Sequence, residues 1–251
     1  MKIYGIIPAR YASSRFPGKP LALINERPMI EHVYRRAAQA LPEVYVATDD
    51  ERIAQAVEKF SSKAILTGSH HQNGSSRCLE AYDHLPKGHD ESDIIVNIQG
   101  DEPLLHPGDL HLLTGLFEDE NTQMGTLAKP VVPGTRLAHG EGVFVTLSQS
   151  GYALYFSRSI IPALRDGKGK PWSEQHPYYQ HIGLYAYRPA ALRQFCQLPP
   201  SRLEQAEMLE QNRWLENDGR LKVALTHHAS LPVDYPEDIA KIEAVLRGEN
   251  K

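Results

Sequence analysis

Short runs of β-branched residues alternate with amphipathic segments through the first half of this chain, and that alternation narrows the fold more than any other feature. Ile3 to Pro8, Val44 to Thr48, Ala64 to Thr67, Ile94 to Ile98 and Thr126 to Val132 read as strands. Between them, Pro28 to Ala40, Glu51 to Phe60, Ser76 to His84 and Pro107 to Phe117 carry apolar residues at helical spacing, and Pro107 suits a first helical turn. Such alternation implies an α/β fold, with parallel strands and helices on both faces. A sheet of this kind collects ligands at the carboxyl ends of its strands.

The second half changes character. Val143 to Leu147 and Tyr152 to Phe156 read as alternating strands about a hairpin-like turn at Ser148-Gln149-Ser150-Gly151. A polar, Gly- and Lys-containing loop from Arg165 to Gln175 follows, with the composition of a lid. His181 to Tyr187 reads as a strand, Leu203 to Glu216 as one helix, Leu221 to Leu225 as a last strand and Pro236 to Arg247 as a closing helix. At 251 residues this is expected to be one domain, 1–251, with a β-rich lobe at about 130–190.

Composition removes several function classes. A formal charge of −4 gives no basic excess, so wholesale binding of nucleic-acid backbone is not expected. No stretch approaches the ~20 apolar residues of a membrane span, and the start MKIYGIIPAR has no signal-peptide core, so no membrane partner and a cytoplasmic location are expected. The two cysteines, Cys78 and Cys196, have no ligand-like spacing. No G-x-G-x-x-G follows the first strand, which removes a dinucleotide-dependent dehydrogenase. Nucleophile-elbow and H-E-x-x-H signatures are absent as well.

Three segments can carry chemistry. The first strand runs into Arg10-Tyr11-Ala12-Ser13-Ser14-Arg15-Phe16-Pro17-Gly18-Lys19-Pro20. Small residues let backbone N–H groups approach a phosphate, while arginine forks and a lysine neutralise it. The bland alternative is a solvated basic loop. Asn97-Ile98-Gln99-Gly100-Asp101-Glu102-Pro103 ends the apolar fourth strand and sets a carboxylate at the ligand edge, where hard oxygens suit Mg²⁺; a plain tight turn is the other reading. In Val233-Asp234-Tyr235-Pro236, Asp234 is either an N-cap or a second carboxylate that joins Asp101 around a cation. The pairs His70-His71 and His227-His228 resemble metal pairs, but neighbours on an extended chain point apart, which favours surface histidines.

Seven segments together carry a resemblance: IIPARYASSRFPGKPL, YVATDD, VNIQGDEPLL, GYALYFSRSIIP, HIGLYAY, LEQAEMLEQNRWLE and VDYPEDI. In this order and spacing the chain resembles the 3-deoxy-manno-octulosonate (KDO) cytidylyltransferases of lipopolysaccharide assembly over essentially its whole length. The first segment is shared by many sugar nucleotidyltransferases; the last three are more specific.

The resemblance implies a Mg²⁺-dependent enzyme that joins CTP to KDO, giving CMP-KDO and pyrophosphate. It also implies a three-layer, Rossmann-like nucleotide-diphospho-sugar transferase fold with a mixed, mostly parallel sheet, and a homodimer formed through the β-rich lobe. By matching motif, Arg10, Ser13, Arg15, Lys19 and Arg77 would hold the nucleotide, with Lys19, Arg15 and Asp101 catalytic. Asp101 and Asp234 would hold the metal, and Gln99, Arg158, His181, Tyr185 and Glu210 the sugar acid. Two departures stand out. Ser75 and Ser76 occupy positions where the family usually has threonine and an acid, and Phe144 stands where many members carry lysine. An 8-amino or sialic-acid-like keto sugar acid is therefore an alternative substrate, and a non-catalytic nucleotide-sugar binding protein an alternative class.

Overall fold

The apolar run that opens the chain forms β1 (Ile3–Ala9), buried at five of its seven positions. It appears in a computed structural model that describes residues 1–13, 15–61, 63–85, 90–140, 142–167, 169–228 and 231–248. Ser14 and Lys168, which fall in the two loops singled out above, lie outside the described residues. The chain divides into two compact units, one of Met1–His111 with Ala229–Lys251 and one of Leu112–His228.

In the first unit β1 leads to a two-stranded hairpin, β2 (Leu23–Ile24) and β3 (Arg27–Pro28), which the sequence reading did not foresee. Its turn residues Asn25 and Glu26 both take positive φ, 45° and 65°, the pairing that lets a two-residue hairpin follow strand twist. Glu26 is not a usual left-handed residue, which is why the turn was illegible. There follow α1 (Met29–Ala37), β4 (Glu43–Thr48), α2 (Glu51–Glu58), β5 (Ala64–Leu66), α3 (Gly74–Asp83) and β6 (Ile94–Asn97). Met29, Ile30, Val33 and Ala37 form the buried stripe of α1. Asp50 caps α2 by accepting from the Arg52 amide, and Asn73 caps α3 by accepting from the Ser76 amide.

β1 pairs in parallel with β4 and β6, and β4 with β5, giving the order β6-β1-β4-β5. The chain leaves β1 toward β4 on one side and returns to β6 on the other. The carboxyl ends of β1 and β6 therefore diverge at a switch point, where such sheets open a crevice.

Helix α4 (Pro107–Gly115) spans the sequence boundary of the two units. It stops short of the expected Phe117 because Leu116–Glu118 tightens into a single 3₁₀ turn. The second unit then holds β7 (Met124–Pro130), β8 (Phe144–Leu147), β9 (Ala153–Ser157), α5 (Trp172–Gln175) and β10 (Tyr179–Tyr187). It ends with α6 (Pro189–Gln197), α7 (Arg202–Glu207), α8 (Asn212–Glu216) and β11 (Lys222–Leu225). β7 pairs in parallel with β11 and antiparallel with β10, while β8 pairs antiparallel with β9 and β10. The fold is thus α/β: the β6-β1-β4-β5 strands of the first unit are all parallel, its β2–β3 hairpin is antiparallel, and the second unit is mixed. Gly151, at φ 76°, closes the β8–β9 hairpin where the turn was expected.

Three expectations need correction here. Leu203 to Glu216 is two helices, because Met208 turns left-handed at φ 53° and ψ 45° and ends α7. The Arg165–Gln175 segment is not all loop: it contains α5, and the Trp172 indole donates to the Gly167 carbonyl at 3.1 Å. Asp234 does not cap the last helix, α9 (Asp238–Leu246). The Asp238 carboxylate instead accepts from the Asp234 and Tyr235 amides at 3.1 and 3.0 Å. The Lys241 ammonium and then these amides hold the Asp238 acid down at about 2.

α9 belongs to the first unit, where Ile242 packs in one buried cluster with Ile24, Met29 and Val233. That apolar anchor explains why the chain returns to the first unit, and it sets Val233-Asp234 beside the segment after β6. The Val233 amide donates to the Asp101 carbonyl at 2.9 Å. No helix among the described residues is long and apolar enough to cross a membrane.

Candidate active site

A crevice opens in the first unit at the carboxyl ends of β1 and β6. Pro8, Ala9, Arg10, Ser13, Arg15, Lys19 and Pro20 line it from the β1 side, and Gln99, Gly100 and Asp101 from the β6 side. His71, Gln72, Asn73, Gly74 and Arg77 complete it from the start of α3. Seven predicted site residues thus meet in one cavity: Arg10, Ser13, Arg15, Lys19, Arg77, Gln99 and Asp101.

The loop after β1 is ordered by its own hydrogen bonds. The Gly18 amide donates to the Tyr11 carbonyl at 2.9 Å, with Gly18 at φ 72°. A side chain there would meet the Tyr11 ring at 3.1 Å, so glycine meets a conformational and a steric demand at once. Arg52 stacks on the other side of the loop, its guanidinium carbon 3.3 Å from the Tyr11 ring centre. Gly100 has a separate reason: a Cβ would lie 3.1 Å from the Pro8 carbonyl oxygen, so only glycine lets β6 leave the sheet this close to β1.

The charges pair across the crevice. Lys19 Nζ donates to Asp101 Oδ2 at 2.6 Å and to the Val233 carbonyl at 2.9 Å. Arg15 Nη1 lies 2.8 Å from Asp234 Oδ1. Two carboxylates from distant segments and two cations from one loop therefore share a neighbourhood, with hard oxygen donors of the kind Mg²⁺ takes. An ammonium has three donors, and two of Lys19's are engaged by described residues, which leaves one for a ligand oxygen.

Arg77 is more constrained than a surface cation. It is buried, and donates to Thr67 Oγ1 at 2.7 Å, the Gly68 carbonyl at 3.4 Å and Asp49 Oδ2 at 3.2 Å. It ties the ends of β4 and β5 to α3 while lining the cavity. Asn97, the first residue of the Asn97–Pro103 segment, is buried with its Oδ1 unpaired among described residues. Asn97 and His71 were read as parts of a segment and of a histidine pair but not assigned to this site, and Asp49 carried no signal of its own.

The remaining predicted residues lie in the second unit. The Thr126 hydroxyl donates to the Leu184 carbonyl at 2.8 Å, has the Ile182 carbonyl at 3.2 Å, and lies 3.0 Å from His181 Nε2. With its one proton given to a carbonyl, it can only accept from His181, which assigns the Nε2–H tautomer. A register shift between Ile182 and Tyr185 in β10 brings both carbonyls to this hydroxyl. His181 sits edge-on to Phe156 and 5.4 Å from the Tyr185 ring. Burial pushes the His181 imidazole down to about 3, so it is neutral at physiological pH. Burial, then the Glu210 carboxylate, pushes the Tyr185 phenol well above its ordinary value.

Arg158 is exposed and anchored by Nε to the Glu207 carbonyl at 2.8 Å and by Nη2 to the Met208 carbonyl at 3.3 Å. Glu207, which the sequence reading passed over, organises this corner. It accepts from Ser157 Oγ at 2.5 Å, the Arg158 amide at 2.9 Å and Tyr155 at 3.2 Å. Both departures also acquire a physical setting. Ser76 Oγ lies 3.0 Å from His71 Nδ1. Phe144 is fully buried, edge-on to Tyr178, where a lysine would have to bury its charge or leave.

The cytidylyltransferase family model matches residues 4–223. A 3-deoxy-manno-octulosonate cytidylyltransferase of Phocaeicola vulgatus is 48% identical over 250 residues, covering 98% of each chain. An 8-amino-3,8-dideoxy-manno-octulosonate cytidylyltransferase of Shewanella baltica is 44% identical over 250 residues, covering 98% of this chain and 99% of its own. A solved CMP:2-keto-3-deoxy-manno-octonic acid synthetase complexed with CTP superposes with a TM-score of 0.88 at 40% identity, covering 100% of both chains. With identity at this level across the whole length, the chain belongs to the cytidylyltransferase family, among the 3-deoxy-manno-octulosonate cytidylyltransferases.

Proposed function

We propose that this enzyme activates KDO with CTP, releasing pyrophosphate and CMP-KDO for lipopolysaccharide assembly in the cytoplasm. The observation that carries the proposal is the first unit's crevice at a sheet switch point, where Lys19 meets Asp101 and where Arg15, which lines it, also pairs with Asp234 outside the lining. In this reading the anomeric hydroxyl oxygen of KDO attacks the α-phosphorus of CTP in line. The bond to the bridging oxygen breaks, pyrophosphate leaves, and the hydroxyl proton passes to solvent.

Positioning and charge stabilisation dominate such a transfer. Arg10, Ser13, Arg15 and Lys19 hold the phosphates; Lys19 and Arg15 stabilise the charge growing on the leaving pyrophosphate. Arg77 fixes the α3 wall of the cavity against the nucleotide. Asp101 and Asp234 fit a Mg²⁺ ion by donor chemistry, and a bound ion would neutralise phosphate charge and acidify the attacking hydroxyl. Within the second unit, Arg158, His181, Tyr185 and Glu210 are assigned to the sugar acid by the resemblance. A neutral His181 keeps hydrogen-bonding capacity without adding charge.

A homodimer through the β-rich lobe belongs to the same proposal. It is supported by exposed apolar side chains there, Leu154 at 61% and Val132 at 66%.

Pyrophosphate release should be measured for CTP, UTP and ATP, each against KDO, its 8-amino analogue and sialic acid, with and without Mg²⁺. Release confined to CTP, KDO and Mg²⁺ is expected. A preference for the 8-amino acid would reassign the substrate, and CTP binding without release would make the chain a binding protein.

A further inference from the structure

His70 and His71 do not behave as neighbours on an extended chain. The backbone turns at Ser69-His70, and the two imidazole rings lie against each other, tilted by 37° with centres 4.2 Å apart. Gly68 permits this: a Cβ there would lie 2.4 Å from His70 Nδ1, so a side chain would expel the ring. Nearly two helical turns into α3, Glu80 faces the same point. Ligand atoms of His70, His71 and Glu80 all lie within 4.8 Å of one another.

Two of the three groups are already oriented by partners on their other atoms. Ser76 Oγ holds His71 Nδ1 at 3.0 Å, which leaves Nε2 turned to Glu80 Oε2, its hydrogen-bonded partner. The Gly68 amide donates to Glu80 Oε1 at 2.9 Å and leaves Oε2 for the histidines. Such outer partners are what a metal centre needs to fix ligand direction. His71 is nearly buried, with 6% of its side chain exposed, whereas His70 is on the surface and gives an entry path.

We propose that His70, His71 and Glu80 form a site for a Zn²⁺-class transition cation, separate from the carboxylates Asp101 and Asp234. Two imidazoles and one carboxylate are a borderline donor set, which selects Zn²⁺, Co²⁺ or Ni²⁺ over Mg²⁺. Zn–N and Zn–O bonds near 2.1 Å need ligand atoms roughly 3.3 Å apart in a tetrahedron. The exposed His70 ring supplies the closing movement, and water completes the shell. Bound metal ties the turn before α3 to the helix itself, beside Asn73, Gly74 and Arg77 of the crevice. The site does not depend on which sugar acid the enzyme takes.

The test is zinc titration of the chelator-treated full chain, with thermal melting read in parallel, for wild type, His70→Ala, Glu80→Gln and the double variant His227→Ala/His228→Ala. One equivalent should bind wild type and the double variant and raise their melting temperatures. His70→Ala and Glu80→Gln should weaken that affinity by at least ~10-fold, the scale seen even for outer-shell losses. His70→Ala should keep wild-type pyrophosphate release in Mg²⁺ alone, since His70 does not line the crevice. No zinc uptake by wild type, or equal uptake by His70→Ala, overturns the proposal.

Discussion

At the residue scale, what distinguishes the crevice is that its charges are shared rather than stacked on one side. Lys19 touches Asp101 and the Val233 carbonyl, and Arg15 touches Asp234, so each acid is held by a cation that a phosphate can recruit. Asp101→Asn keeps the shape and removes the charge. It should lower kcat at saturating Mg²⁺ by at least ~100-fold, the size of losing one strong electrostatic stabiliser. An unchanged kcat would take Asp101 out of the reaction. That Arg10, Ser13, Lys19 and Asp101 would share one cavity was legible because they sit in loops at the ends of neighbouring strands. Asp49 was not, and neither was the place of His71, since their neighbourhood forms only when β4, β5 and α3 pack around Arg77.

At the element scale, strands were read better than breaks. β1, β4 and β6 fall within two residues of expectation because a strand buried on both faces must be continuously apolar. The break between α7 and α8 was missed because nothing in Glu207-Met208-Leu209 names a left-handed residue. Met208 nevertheless sits at φ 53° with its side chain 76% exposed, and contributes backbone strain without packing. Met208→Gly should therefore raise stability by ~0.5–1 kcal/mol, relief of left-handed strain outweighing glycine's unfolded-state entropy. Urea unfolding checks this; a lowered midpoint would mean Met208 makes contacts that outweigh the strain.

For the molecule as a whole, the pH response is led by one desolvated group. His181 titrates near 6.5 when unfolded and about 3 when folded. Between those values the unfolded chain binds more protons, so stability is full above the upper value and falls as pH drops through the window. The slope from this one residue reaches ~1.4 kcal/mol per pH unit. Asp238, held down by Lys241 and backbone amides, acts in the same direction but only below the ordinary aspartate range. Urea midpoints of wild type and His181→Gln should therefore diverge between pH 6 and 4 and run parallel above pH 7. Parallel curves throughout would mean His181 is solvated and titrates normally.

Local pattern alone determined the class of fold and the positions of the parallel strands, because burial on both faces of a parallel sheet leaves marks in neighbouring residues. Only tertiary structure decided that Asp234 pairs with Arg15 rather than capping α9, since that depends on Ile242 and Val233 burying against Ile24 and Met29, about two hundred residues away in the chain. It likewise turned His70 and His71 toward one another, because the direction of a side chain follows the backbone turn and the bare Gly68, which composition does not encode.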